Sequence, residues 1–261
     1  QKEDFRRYLG FTANLAQLVS LSDKIEQSRK IQYMVQASTS LLRDLHLQNV
    51  DPALYSLATE LCSTTVDVLV QQPDMLSLFE MFKQHSDHEY AHSLAVSVYS
   101  VLIAKAVGWK SPRTLVHVST CGMLHDIGKK EIPAEILKKS RAALSPEEIE
   151  ILESHPVRGM EILSRVKGLP EDVALVALQH HENCQGTGYP NHLTRNHIMP
   201  FSKLVAVATE FCSLALPGPD SEGISPADAV SRMSSIGGER FDTQFLEGLK
   251  RVISGSAKFG A

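Results

Sequence analysis

Apolar residues recur along the chain at spacings of three and four, the period of an amphipathic helix, and no stretch alternates convincingly as a half-buried strand would. Phe11, Leu15, Leu18, Val19 and Leu21 fit one helical face. Ile31, Met34, Leu41, Leu42 and Leu45 continue a helical pattern that breaks at Asn49-Val-Asp-Pro52. Asp51-Pro52 places an N-cap before a proline at the first helical position, which opens a helix to about Val70. Gln71-Gln-Pro-Asp74 marks a boundary. Beyond it, Leu94, Val98, Val101, Leu102 and Ala106 stripe a helix from His88 to Val107, and Trp109 and Ser111-Pro112 end it and start the next. Leu115 to Leu124 is apolar enough to be buried. Ile132-Pro133 opens a short helix with Ile136 and Leu137. Ser145-Pro-Glu-Glu148 is a capping signature, and its helix carries Ile149, Ile151 and Leu152 before Pro156 kinks or restarts it; Gly159, Ile162 and Leu163 follow. Asp172 to His181, Leu204 to Leu216, Ser225-Pro226 to about Met233 and Asp242 to Ile253 complete the pattern. The expectation is an all-α bundle. Residues 1–75 form a helical regulatory or dimerisation segment, and residues 76–261 hold most of the histidines and hence the chemistry.

Composition narrows this only a little. Of 261 residues, 43% are apolar and 21% charged, with a formal net charge of -4, which is ordinary for a soluble globular protein. No block of Lys and Arg offers the electrostatic footprint that duplex nucleic acid needs. No apolar run reaches membrane-spanning length and no signal peptide precedes the first helix. Cys62, Cys121, Cys184 and Cys212 are widely spaced without a CxxC pair, as expected of reduced thiols in the cytoplasm. The start on Gln1 rather than Met leads to the expectation of a fragment, with an upstream sensor domain missing.

The chemistry centres on His125-Asp126, in the run Cys121-Gly-Met-Leu-His-Asp-Ile-Gly-Lys-Lys130. Neighbours on a regular helix point about 100° apart, so these two converge only at a helix end, and Gly128 and Pro133 place the end here. A metal ion is a good reason to set a neutral imidazole beside an anionic oxygen. His88 and His92, at i and i+4, share a helix face. His92, His125, Asp126, His155, His180 and His181 each end or interrupt an apolar helix, or lie beside a Gly or Pro turn or another ligand type. His46, His85, His117, His192 and His197 read as surface or hydrogen-bonded core histidines. Inward-facing His and carboxylate groups on separate helices build metal centres in bundles. Imidazole and carboxylate without thiolate suit Fe, Mn or Zn. So many donors exceed one tetrahedral ion and suit two octahedral ions bridged by a carboxylate and a water.

His125-Asp126 with Ile127-Gly-Lys129, Ile132-Pro133, His155-Pro-x-x-Gly159, His180-His181-Glu182 and Gly188-Tyr189-Pro190 together resemble the HD-GYP subfamily of HD-domain phosphohydrolases, over about residues 85–255. The resemblance implies an α-helical, metal-dependent phosphodiesterase that opens cyclic di-GMP to linear pGpG or GMP. It implies that His92, His125 and Asp126 hold one metal, with Asp126 bridging, that His155 and His180 complete a second site, and that His181 serves a third. Lys129 would contact a phosphate oxygen or the bridging hydroxide. Gly188, Tyr189 and Pro190 would shape the pocket wall and dock signalling proteins. Where some members carry a Glu, this chain has His88. A hydroxide shared by two cations is nucleophilic near neutral pH, so no Ser or Cys nucleophile is needed.

Three positions depart from the family pattern. Thr209 stands where an Asp ligand is expected, with Glu210 beside it but about 100° round the helix. Gln185-Gly186 replaces Asp-Gly. The loop Pro217-Gly-Pro-Asp-Ser-Glu-Gly223 has no cation where the family carries a basic motif, which leaves Lys139 and Lys203 to take part of that role. Two other readings follow: a degenerate domain acting as a signalling or protein-interaction module, and a hydrolase of another phosphoester such as a nucleotide. A homodimer is compatible with each.

Overall fold

The computed structural model describes residues 18–19, 22, 25–47, 50–70, 75–84, 88–237 and 239–257. Phe11, Leu15, Leu21 and His85 lie outside them. The elements are α1 (Gln27–Leu47), α2 (Pro52–Val70), α3 (Met75–Lys83), α4 (His88–Ala106), α5 (Pro112–Leu124), a 3-10 turn (Ile127–Glu131), α6 (Ala134–Leu137), a second 3-10 turn (Arg141–Ala143), α7 (Pro146–Glu153), α8 (His155–Ser164), α9 (Glu171–Gln179), α10 (Pro200–Ala215), α11 (Pro226–Gly237) and α12 (Thr243–Ile253). Among the described residues the only β pairing is two isolated bridges, Gln185 with Thr194 and Gly218 with Ser221. The all-α expectation holds, and among the described residues no helix is long and apolar enough to cross a membrane.

The helix starts follow the capping chemistry read from the sequence. Asp51 Oδ1 accepts from the amides of Ala53 and Leu54 at 3.1 and 3.0 Å and opens α2. Ser145 and Glu148 form a reciprocal capping box at α7, which satisfies amides that a bare helix start leaves orphaned. Pro156 restarts rather than kinks: α7 ends at Glu153 and α8 begins at His155. None of the residues of α7 is buried: Ile149 and Leu152 are half-buried and Ile151 is 36% exposed.

Helix α4 is the axis. A stripe was expected, but Ala91 and every residue from Ser93 to Ala104 are buried, as befits a helix enclosed on all sides. Its closest neighbour is α5. A Cβ at Gly122 would stand 2.7 Å from Ser97 Cα, and Ser97 Oγ meets Ser119 Oγ at 2.8 Å. This crossing, backbone against backbone, fixes the helix that carries His92 against the one that ends at His125. One apolar cluster then runs from Ile31 in α1 to Val252 in α12, and includes Leu42, Leu61, Leu102, Leu124, Phe211 and Leu249. Helices α1 and α2 therefore share a core with the helices that carry the histidines.

Asp44 is buried in α1 with Oδ2 unpartnered. Burial pushes its acid up to about 6, against a weaker opposing pull from Arg43. A carboxylate raised in the folded state is penalised where it must ionise, so this contribution to instability grows as pH rises from about 4 to about 6 and stays constant above. Asp44→Asn is expected to raise the urea midpoint relative to the parent at neutral pH, with the difference narrowing in acid. Gly122→Ala is expected to cost about 1–3 kcal/mol by overpacking the α4–α5 crossing, measured by the same urea titrations.

Candidate metal centre

Three histidines obey one local rule. His125 sits just past the end of α5 and its Nδ1 donates to Gly122 O at 2.7 Å. His155, just past α7, donates from Nδ1 to Leu152 O at 2.6 Å. His180, just past α9, donates from Nδ1 to Ala177 O at 2.8 Å. Each proton goes to a carbonyl three residues back, one that the helix end leaves without an intrahelical partner. With Nδ1 protonated, the neutral ring must present a lone pair at Nε2.

These lone pairs converge on Asp126. Its side chain lies 3.2 Å from His125 Nε2, 3.2 Å from His155 Nε2, 3.4 Å from His180 Nε2 and 3.8 Å from His92 Nε2. His155 Nε2 and His180 Nε2 stand 3.2 Å apart. Two acceptors facing each other repel, and no proton is left to join them. Protonating the rings is opposed too: burial lowers His180 to about 4 and His92 to about 3, and holds His181 well below its ordinary value. His125 Nε2 and Asp126 Oδ1 are buried without a hydrogen-bond partner. An unsatisfied buried polar group costs about 1–3 kcal/mol, and a cation among these acceptors reverses the sign of every contact. The donor atoms form two sets, each within 4.8 Å: His92, His125 and Asp126, and Asp126, His155, His180 and His181. Asp126 belongs to both, so the residues fit a carboxylate-bridged metal centre.

Asp126 stays ionised. Burial opposes its charge, and the ammonium of Lys129 beside it favours it. Lys129 Nζ donates to Asp126 Oδ2 at 2.7 Å, and that carboxylate outweighs burial to keep the ammonium charged. The turn that carries both packs tightly on α8. A Cβ at Gly128 would collide with His155 O and come within 2.6 Å of Gly159 N. The glycines of the two motifs thus let the loop of Asp126 touch the helix of His155.

Tyr189 closes one side. Its ring stacks on His181 at 4.5 Å with 19° between planes, and meets His155 edge-on at 6.4 Å. Gly188 makes this possible, because a Cβ there would lie 2.6 Å from Glu182 Cα. Sequence reasoning missed what holds the loop. Glu182 is buried and accepts from the amides of Asn191 and Leu193 at 2.6 and 2.9 Å. Asn183 Oδ1 accepts from the amides of Gln185 and Thr187 at 3.0 and 3.2 Å. The available signal was a Glu-Asn pair directly ahead of a Gly- and Pro-marked loop.

Other candidates fall outside the two donor sets. His88 is exposed on the first turn of α4: it shares a face with His92 but lies one turn too near the helix end. Glu210 is half-buried and belongs to neither set, while Thr209 is buried with Oγ1 unpartnered. Lys139 pairs with Glu148 at 2.5 Å. Lys203 lies 4.0 Å from Asp242, which also holds Arg195 at 3.2 Å. His117, read as structural, pairs with Asp172 at 2.8 Å.

Comparison with known proteins agrees with this geometry. A family model of the HD domain matches residues 77–245. The chain belongs to the HD-domain family. It is 27% identical over 237 residues to a cyclic di-GMP phosphodiesterase of Pseudomonas aeruginosa, a match covering 90% of this chain and 56% of that protein. It is 29% identical over 216 residues to a cyclic di-GMP phosphodiesterase of Thermotoga maritima, covering 81% and 58%. The chain spans little more than half the length of these two relatives. Among solved structures, Bd1817, an HDG"Y"P protein from Bdellovibrio bacteriovorus, shares this HD-domain fold with a TM-score of 0.79 at 17% identity, over 97% of this chain and 80% of that one. The HD-GYP resemblance read from the motifs is borne out by the names these proteins carry.

The HD-domain donor sets make a direct prediction. The protein is expected to take up divalent metal, measured by elemental analysis after dialysis, and His125→Ala and Asp126→Ala are expected to lose it. Metal at a hundred times its Kd should stabilise the fold by about 2.7 kcal/mol, a gain that EDTA removes.

Proposed function

We propose that this HD domain is a metal-dependent phosphodiesterase that hydrolyses cyclic di-GMP to linear pGpG or GMP. The observation that carries the reading is the sharing of Asp126 between two sets of inward-facing imidazole acceptors. His92, His125 and Asp126 would hold one divalent ion and Asp126, His155 and His180 a second, with His181 beside them; Fe or Mn suits these donors best, and Zn is compatible. When bound, such ions supply hydroxide near neutral pH and offset the charge that develops on a phosphodiester. The chain's own residues do the rest. Asp126 holds the two sets together, and Lys129 keeps an ammonium beside it for a phosphate oxygen. Tyr189 walls the pocket against His181. The Gly188-Tyr189-Pro190 loop, braced by Glu182, is the proposed dock for signalling proteins. Residues 1–75 are proposed as a regulatory segment that also serves a homodimer. The free thiols at Cys62, Cys121, Cys184 and Cys212 fit a reducing cytoplasm.

A second reading rests on one observation. Thr209 buries an unpartnered hydroxyl where the family pattern has a carboxylate ligand, which favours a domain that has kept its fold for signalling and lost hydrolysis. Turnover of cyclic di-GMP by protein reconstituted anaerobically with Fe(II) or Mn(II) decides between them, run beside Thr209→Asp. The parent chain is expected to release pGpG or GMP and His125→Ala to release none. Product from Thr209→Asp alone would identify the missing carboxylate as the lesion and make the second reading correct. No product from either would remove the phosphodiesterase assignment.

A further inference from the structure

Helix α1 ends against the loop that carries Asp126 and Lys129. Lys130 Nζ donates to Leu45 O at 2.8 Å, a carbonyl of the last turn of α1 and so at the negative end of its dipole. Leu45 itself is fully buried. The next residue, His46, donates from Nδ1 to Leu42 O at 2.9 Å and sets its ring edge-on to Tyr90 at 5.2 Å. Tyr90 precedes His92 by two residues in α4, and Lys130 follows Asp126 by four. The last turn of α1 therefore touches the neighbourhood of both chain segments that build the first donor set. Helix α8 holds the same 3-10 turn, through the approach of Gly128 to Gly159 and through Arg158 Nη1 on Glu131 O at 3.4 Å. The turn is thus held both by the helix of His155 and by a helix that belongs to neither donor set.

We propose that Lys130 is a positioning residue and that α1 is a lever on the metal centre. The Lys130–Leu45 and His46–Tyr90 contacts hold Asp126, Lys129 and His92 at ion-binding spacing. Whatever shifts α1, by a partner or by a change at its amino end, then changes metal affinity and turnover together. This rests on the metal reading above and not on the identity of the substrate.

The test uses the full chain with Lys130→Met, which keeps an unbranched stem and removes the donor, and with Lys130→Arg, which restores one. Mn(II) affinity is measured by calorimetry, and amide hydrogen exchange is followed through Ile127–Glu131 and through α5. Lys130→Met is expected to weaken Mn(II) about tenfold or more, the usual scale for an outer support of a metal site. Exchange is expected to speed up in the turn and not in α5, and Lys130→Arg to recover most of the affinity. His46→Ala should weaken Mn(II) in the same direction. Unchanged Mn(II) affinity in Lys130→Met, with faster exchange in the turn, would show a contact that the centre does not feel and would overturn the lever alone. Faster exchange spread through α5 with equal loss in Lys130→Arg would show plain destabilisation and overturn it as well. A parent chain that takes up no Mn(II) overturns the lever and the metal reading together.

Discussion

Everything at the centre depends on where three protons go. His125, His155 and His180 each give the Nδ1 hydrogen to a carbonyl in the last turn of the helix before them. That bond needs only a helix that stops one or two residues before the histidine, and it leaves the opposite nitrogen bare and aimed inward. Three helix ends are thereby enough to point three lone pairs at one carboxylate. The bundle bears the cost of holding them together, and one of its close joints, Gly122 against Ser97, lies three residues from His125 on the helix that delivers it.

Much of this was legible from residues alone. Proline and capping signals placed the helix ends, and His125, Asp126, His155 and His180 stand at those ends. The convergence of His125 and Asp126 followed from the same reasoning, since two adjacent side chains meet only where the helix stops. The all-round burial of α4 was not legible, because Ser93, Ser97 and Ser100 break the apolar pattern while sitting in the core. The exclusion of His88 was equally hidden. Spacing by four residues shows that two side chains share a face, and not where the neighbouring helices end.

The cations tell a similar story. Lys139 and Lys203 were candidates by type and position in the chain, yet each lies beside a carboxylate elsewhere, Glu148 and Asp242. A sequence lists charges without their partners. Arg141 shows the reverse case: its backbone amide donates to Asp220 at 2.7 Å and its side chain pairs with Glu153. The cation-free loop is thus seated on a turn that carries a cation, a pairing between residues far apart in the chain.

Glu182 alters the electrical character of the whole centre. His180-His181-Glu182 looks like three donors in a row, but both oxygens of Glu182 are taken by the amides of Asn191 and Leu193, and Thr209 adds a neutral group where a carboxylate was expected. Within the donor sets one carboxylate remains, Asp126, and the ammonium of Lys129 cancels it, while the imidazoles carry nothing. The protein thus lines this centre with lone pairs but almost no net negative charge. On the proposed function, ions held there would keep nearly all of their positive charge until an anionic substrate arrived, and neutralisation would fall mostly to the phosphodiester and little to the protein.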